Sequence, residues 1–410
     1  MTHRTTLRRS IRELPPAAWL LFAGTFISKF GAFVIVFLAV YVTRQGFSTA
    51  QAGIALSAYG IGALFSSPVG GYLADHLGRR KAIAASMYGS AAAMLGLSQA
   101  HGLPAIVVLA AAAGFTSELY RPAAGALLAD LTPTGQRVPA FAMNRLAVNA
   151  GFAAGPAVGG FLAERSFFLL FLGDAVTSTI FGTIALAALP AGNAAAEAGA
   201  GAGKGWVRAV LTDRPFRVFL AANAVGILVL VQAFSSFAVH VSERVSSAAY
   251  GTLISLNGLL VVLLELPVAS VTQRLPPRRV MAVGFLLLGT GFALTAAASS
   301  WPTFAVVVFV FTLGEITYMP VAGAYVADIA PPEMRGRYHG AWGLTFGIAF
   351  VIGPTLGTML YAANATVLWL GCLAVGALAA ALVRAGPEAG GRHDLRIDEL
   401  ADRDHQVSGG

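Results

Sequence analysis

Residues 121–137 read RPAAGALLADLTPTGQR and residues 319–335 read MPVAGAYVADIAPPEMR. The two stretches lie at an offset of 198, and the match runs without a gap from Pro122–Leu162 onto Pro320–Leu360, with 14 of 41 positions identical. Two unrelated greasy segments would share alanines and leucines. They would not hold Gly125 and Gly323, Asp130 and Asp328, Pro133 and Pro331, Arg137 and Arg335, Gly155-Pro156 and Gly353-Pro354, and Gly159 and Gly357 at one fixed offset. The chain is therefore an internal duplication, and what it duplicates follows from its composition.

Of 410 residues, 57% are hydrophobic and 11% charged, and the mean hydropathy is +0.72. Soluble domains are about half apolar and roughly a quarter charged, so this balance points to a membrane protein. The formal charge of +8 forms no stripe on a soluble domain. Its cations fall between apolar runs, which is a topology signal and speaks against nucleic acid. A single cysteine, Cys372, excludes disulfides within the chain and cysteine-based metal sites. The basic start MTHRTTLRRSIRE precedes an apolar run from Ala17 to Val42. A cleaved signal has an apolar core of only about 7–15 residues, so this run is read as a spanning helix.

A spanning helix needs about 20 mostly apolar residues. Twelve such runs are expected, at about 17–42, 50–74, 81–100, 104–130, 139–163 and 167–190, then 216–241, 249–273, 279–299, 302–329, 338–361 and 364–385. The domain plan is a cytoplasmic segment 1–16, a first six-helix bundle 17–190, a cytoplasmic linker 191–215, a second bundle 216–385, and a polar, disordered tail 386–410. With the N-terminus inside, 22 of the 27 Lys and Arg residues lie in inner segments, and only Arg44, Arg165 and Arg244 lie outside. Both termini are thus expected in the cytoplasm, with the chain multi-pass in the cytoplasmic membrane. Six spans separate the copies, so both halves insert in the same direction. Parallel repeats of this kind place a site between the halves near mid-depth and work by rocking one half against the other. The fold class expected is an all-α integral membrane protein of two parallel six-helix bundles.

Between the second and third runs the sequence reads Gly71-Tyr-Leu-Ala-Asp75-His-Leu-Gly78-Arg79-Arg80. This resembles the G-x-L-A-D-[RK]-x-G-R-[RK] motif of the major facilitator superfamily, with His76 in place of a cation. Arg121-Pro-Ala-Ala-Gly125 in span four is similar to the family's R-x-x-x-G motif. GFAAGPAVGG in span five, with Gly151, Gly155, Pro156, Gly159 and Gly160, is similar to the pattern of its twelve-span drug/proton antiporters. The resemblance covers about residues 14–385. It implies that spans one, four, seven and ten line a central cavity. It also implies that Asp75 faces the N-terminus of span eleven and that Arg79 pairs with Asp130, together latching the cytoplasmic side. A carboxylate at a helix N-terminus is favoured by about 0.3–1 kcal/mol. Asp75 maps onto Gln273 and Gly78 onto Pro276, while Arg278 and Arg279 remain. The second half keeps its topology charge without the latch, so an asymmetric gate is expected. The glycines of span five read first as a packing device and Pro156 as a bend.

Lys29, Glu118, Arg121 and Glu315 lie inside the apolar runs. Each would cost about 2.5–3.5 kcal/mol facing lipid, so they should face the bundle interior and pair. Glu118 and Arg121 are spaced i, i+3 and share a helix face. Glu315 falls one residue from the repeat counterpart of Glu118. Glu118 or Glu315 is the candidate proton carrier, tuned by Arg121 and Lys29, against a static ion-pair network. Glu265 and Asp174 either line the cavity or pair near an interface. Tyr59, Asn149, Asn223, Gln232, Asn257 and Tyr318 are candidates to line it.

No GxxxxGK[ST] loop, metal spacing or water-exposed Ser/His/Asp set occurs, so neither an enzyme nor an ATP-driven pump is expected. The function expected is proton-coupled efflux of small organic, lipophilic compounds, with no cofactor beyond the proton gradient. Its partners are then the substrate, protons and lipid, with the chain a monomer. An importer or uniporter of the same fold, and a receptor or scaffold that transports nothing, are the alternatives.

Overall fold

A computed structural model describes residues 14–133, 136–191, 212–331 and 334–386. Most of the expected segment 1–16, linker 191–215 and tail 386–410 lies outside the described residues. Within them the chain is helical, with no strand. Eleven stretches are long and apolar enough to cross a membrane, and Arg79–Ser98 completes twelve. That helix opens on Arg79, Arg80 and Lys81, which lower its hydropathy without shortening it.

The helices follow the apolar runs and outrun several of them. Span two is Thr49–Leu77, ending where Gly78 takes φ 83°. Only glycine adopts that conformation without strain. Span three starts at once with Arg79. Gly78 of the charged motif is thus the turn itself.

Arg44, Arg165 and Arg244 mark one end of the bundle, the far end; the remaining described cations outside the spans mark the basic end. At the far end Ser48, Ser166, Ser246 and Asn364 each accept a backbone N–H in the first turn of spans two, six, eight and twelve. Helix starts leave donors without partners, and these side chains supply the acceptors. Between the ends, Leu, Val and Phe side chains such as Phe161, Leu266 and Leu356 stand exposed. Lipid is the solvent that suits them.

Spans one to six form one bundle and seven to twelve the other. The bundles meet through two equivalent pairs, span five with span eight and span two with span eleven, as a repeat about an axis along the membrane normal requires. Small residues set the distance of approach. A Cβ on Gly251 of span eight would lie 2.2 Å from the Pro156 carbonyl oxygen, and one on Gly60 of span two 2.6 Å from that of Phe350. Ser57 and Thr355 share a hydrogen bond of 2.8 Å across the second pair. All these contacts lie in the far half or at mid-depth. In the basic half, Gly71, Gly340 and Gly343 have nothing within 4 Å of a built Cβ, and Tyr72 and Asp75 are exposed. The halves are sealed at the far end and parted at the basic end.

Three spans are interrupted near mid-depth. Span one breaks between Pro16–Phe30 and Phe33–Arg44, span four between Leu103–Glu118 and Tyr120–Leu131, and span seven between Arg214–Leu230 and Ser236–Arg244. Gly31 sits at the first break, where the Thr177 hydroxyl lies 1.8 Å from the place of a Cβ. In span four, Pro122 lacks the N–H that would reach the Glu118 carbonyl. Its counterpart Pro320 leaves span ten, Trp301–Ile329, unbroken.

Candidate functional site

Lys29, on the last turn before the break of span one, places Nζ 2.8 Å from Oε1 of Glu118. Glu118 ends the first part of span four, and its Oε2 receives Nη1 of Arg121 at 2.8 Å. One carboxylate therefore bridges two cations, and the cluster carries one net positive charge. Lys29 also stands 5.7 Å over the ring of Tyr120. Lys29 is 9% exposed and Arg121 66%, so the cluster runs from the interior into the opening at the basic end. Of the four ions expected to turn inward and pair, Lys29, Glu118 and Arg121 pair, and Glu315 has no ion-pair partner within 4 Å among the described residues.

Behind the cluster, away from the basic end, lies a cavity of about 50 Å³, room for one or two waters. Lys29, Tyr59, Glu118 and Asp174 line it. Tyr59 shares a 2.7 Å hydrogen bond with Ser117. Asp174 is 4% exposed; it accepts from the Val34 backbone N–H at 3.5 Å and from the Ser178 hydroxyl at 3.4 Å. This pocket lies inside the first bundle, with no residue of the second half in its lining, and is distinct from a central cavity between the halves.

Glu315 is held apart from this cluster, in the second half. Asn257 of span eight donates to it at 3.0 Å, and also to Thr312 at 2.9 Å. Glu265 takes the other course from Asp174. It pairs with Arg145 of span five, joining the halves about two turns in from the basic end. Arg145 had entered the reading only as an inner-side cation, because a partner 120 residues away leaves no local signal.

Three of the residues expected to line the cavity are instead buried in packing. Tyr318 is fully buried and packs on Phe285 at a ring separation of 4.9 Å, in the seam between spans nine and ten. Gln232 is 4% exposed and fills the break of span seven. It donates to the Leu228 and Gly353 carbonyls and accepts from Ser235 and Ser236. Asn223 is buried too, bonded to Thr345 at 2.6 Å. Asn149 is half-buried on span five.

At the basic end, Arg79 pairs with Asp130 and donates to the Ala126 carbonyl at 2.9 Å, tying the start of span three to the end of span four. Both partners belong to the first half. Asp75, expected against span eleven, is exposed beside the open gap, next to Gly71. In this conformation the motif braces one half and does not latch the two. Asp328, the repeat counterpart of Asp130, is exposed, and Pro277 stands where Arg79 has its equivalent.

The glycines of span five act at two contacts. Built Cβ atoms on Gly151 and Gly155 would lie 2.8 Å and 2.2 Å from the backbone oxygens of Phe26 and Phe30 in span one. Those on Gly159 and Gly160 would meet Phe33 and the Ser247 backbone of span eight. Span five is thus wedged between the broken span one and the opposite half.

The sequence profile of the Major Facilitator Superfamily matches residues 21–244 and again 230–399. A Na(+), Li(+), K(+)/H(+) antiporter of Planococcus maritimus is 28% identical over 356 residues, covering 78% of this chain and 84% of the relative. The quinolone resistance protein NorA of Staphylococcus aureus is 28% identical over 149 residues, covering 36% of this chain and 38% of NorA. The crystal structure of the nucleoside transporter NupG shares the fold with a TM-score of 0.76 at 15% identity, covering 90% of this chain and 98% of that one. Twelve spans in two parallel halves, a buried charged cluster in the first of them and a profile matching both halves agree: the chain is a membrane transporter belonging to the major facilitator superfamily.

Proposed function

We propose that this transporter is a proton-driven antiporter that exports small organic, lipophilic compounds by alternating access. The basic end is cytoplasmic on this reading, since Lys and Arg concentrate there. The observation that carries it is the packing of the halves: sealed at the far end, parted at the basic end, with Lys29, Glu118 and Arg121 at the head of the opening. A substrate entering from the cytoplasm or inner leaflet meets the exposed Arg121 first. The antiporter-like glycines of span five and the antiporter and NorA relatives support export.

Among the carboxylates, Glu118 is engaged by two cations, whereas Glu315 receives the Asn257 amide and, among the described residues, has no ion-pair partner within 4 Å. Losing or gaining a proton at Glu315 leaves no buried cation without its partner, so Glu315 is the better carrier of the two. Everted membrane vesicles containing the chain, with ethidium as the probe, test the reading. Acidifying their interior should drive ethidium in, and a protonophore should abolish the uptake. Uptake indifferent to the gradient would instead fit a uniporter.

A further inference from the structure

Asp174 is a buried acid with no ion-pair partner within 4 Å among the described residues, and nothing above gives it a task. Its position is specific. The break in span one creates a second helix start at Phe33, and the first N–H groups of that start have no partner within their own helix. Asp174 of span six reaches one of them, the Val34 N–H, at 3.5 Å, with nothing shorter to either of its oxygens than the Ser178 hydroxyl at 3.4 Å. The helix it holds, Phe33–Arg44, packs on Ser236–Arg244 of span seven. Val239 from span seven shares a buried cluster with Val34, Leu38 and Val42 from span one. This contact closes the far end.

We infer that Asp174 is a proton-binding site whose occupancy sets the far-end seal. As a carboxylate it accepts the Val34 N–H and faces the positive end of the helix dipole, holding the second half of span one against span seven. Binding one proton converts the carboxylate to a neutral acid, which removes the charge from that bond and weakens it. A hydrogen bond to a charged group is roughly twice as strong as one to a neutral group. The charged groups around Asp174 allow the change. Lys29 of span one and Glu118 of span four line the same cavity, as does Tyr59 of span two, whose phenol is bonded to Ser117. From spans three and five the cavity receives Ser90 and Phe152, which carry no charge. Lys29 stays satisfied by Glu118 whichever form Asp174 takes, and cavity water offers the proton a path.

The inference rests on the proton-driven reading but is tested without a substrate. Spin labels at Arg44→Cys and Arg244→Cys, in a Cys372→Ser background, report the far-end distance in purified protein in lipid nanodiscs. With Glu315→Gln in every variant, which removes the other proposed proton site, moving from mildly alkaline to mildly acidic pH should raise the far-end-open population about tenfold, the effect of losing roughly one charge-assisted bond. With Asp174→Asn added the population should not respond to pH. In Asp174→Glu, which keeps an acid, the response should return with a displaced midpoint. A pH response in Asp174→Asn equal to that of the parent overturns the inference, as does an unmoved midpoint in Asp174→Glu. Gradient-indifferent ethidium uptake alongside an Asp174-dependent seal would remove the antiport reading and leave the proton site standing.

Discussion

Gly251→Ala should open the far end of this transporter. The added Cβ lies 2.2 Å from the Pro156 carbonyl oxygen and 3.0 Å from Gly160 Cα, both backbone atoms that no rotamer change can move aside. Apolar contacts sit at about 3.5–4.0 Å, so spans five and eight must part by roughly 1 Å. A gap of 0.5–1 Å already forfeits about a quarter to a half of each contact. Overpacking of this kind costs about 1–3 kcal/mol. The cost falls only on the state in which the far ends touch. Because about 1.4 kcal/mol is a factor of ten, the far-end-closed population should drop by roughly 5- to 150-fold relative to the open one. The labels at Arg44→Cys and Arg244→Cys would read this as a shift to longer distances. Gly125→Ala is the control, since nothing lies within 4 Å of its Cβ. If Gly251→Ala and Gly125→Ala leave the same distance distribution as the parent, the seam between spans five and eight does not hold the far end, and the argument fails.

Other perturbations separate pairing from coupling. Lys29→Met leaves Glu118 with Arg121 alone and should lower stability by about 3 kcal/mol or less, below the usual cost of breaking a buried pair because one cation remains; the midpoint of thermal unfolding in detergent checks it. Glu315→Gln should abolish gradient-driven ethidium uptake while leaving downhill ethidium exchange within about twofold, because only the proton step is removed; parallel flux assays in vesicles with and without a gradient decide this. Arg145→Ala breaks the inter-half pair with Glu265, whose arginine is 62% exposed. A pair so placed is worth about 1 kcal/mol at most, so labels across the basic end should show a population change of no more than about fivefold.

Much of this architecture is legible in the sequence because the membrane enforces it. Hydropathy finds the spans, and the offset of Asp130, Gly155 and Pro156 onto Asp328, Gly353 and Pro354 finds the halves. The packing glycines were legible as well: Gly151, Gly155 and Gly159, four apart on one helix face, all stand against span one. Rotation about the helix axis was not. Span ten is apolar on every face, so no pattern tells that Glu315 turns towards Asn257 while Tyr318, three residues on, turns into the seam with span nine. The breaks were hidden for a similar reason. A hydropathy window averages across Gly31, one of 47 glycines in the chain, and only the Thr177 side chain pressed against it shows why it is glycine. Partners far apart in sequence, such as Arg145 with Glu265 or Asp174 with the Val34 N–H, come from the tertiary arrangement alone.

The duplication preserved the scaffold and the topology charges but not the charges of the site and its braces. Carried by 198 positions, Lys29 falls on Ile227, Arg121 on Met319, Asp174 on Cys372, Arg79 on Pro277 and Arg145 on Gly343. The seams, by contrast, are equivalent in both copies, span five on span eight and span two on span eleven. Rocking needs that symmetry, because both seams must open at one end as they close at the other. Energy coupling needs the opposite. Were identical charges set on both halves, like groups would face each other across the cavity, and their repulsion would favour the parted state at either end alike. With the cations gathered in the first half and Glu315 standing alone in the second, closure at the basic end would bring opposite charges towards one another. Protonating Glu315 would cancel that attraction and leave the first half's own pairs untouched. On the proton-driven reading, a single proton in the second half then biases the rocking equilibrium, whereas a second copy of Lys29 opposite the first would hold Glu315 ionised throughout and block that step.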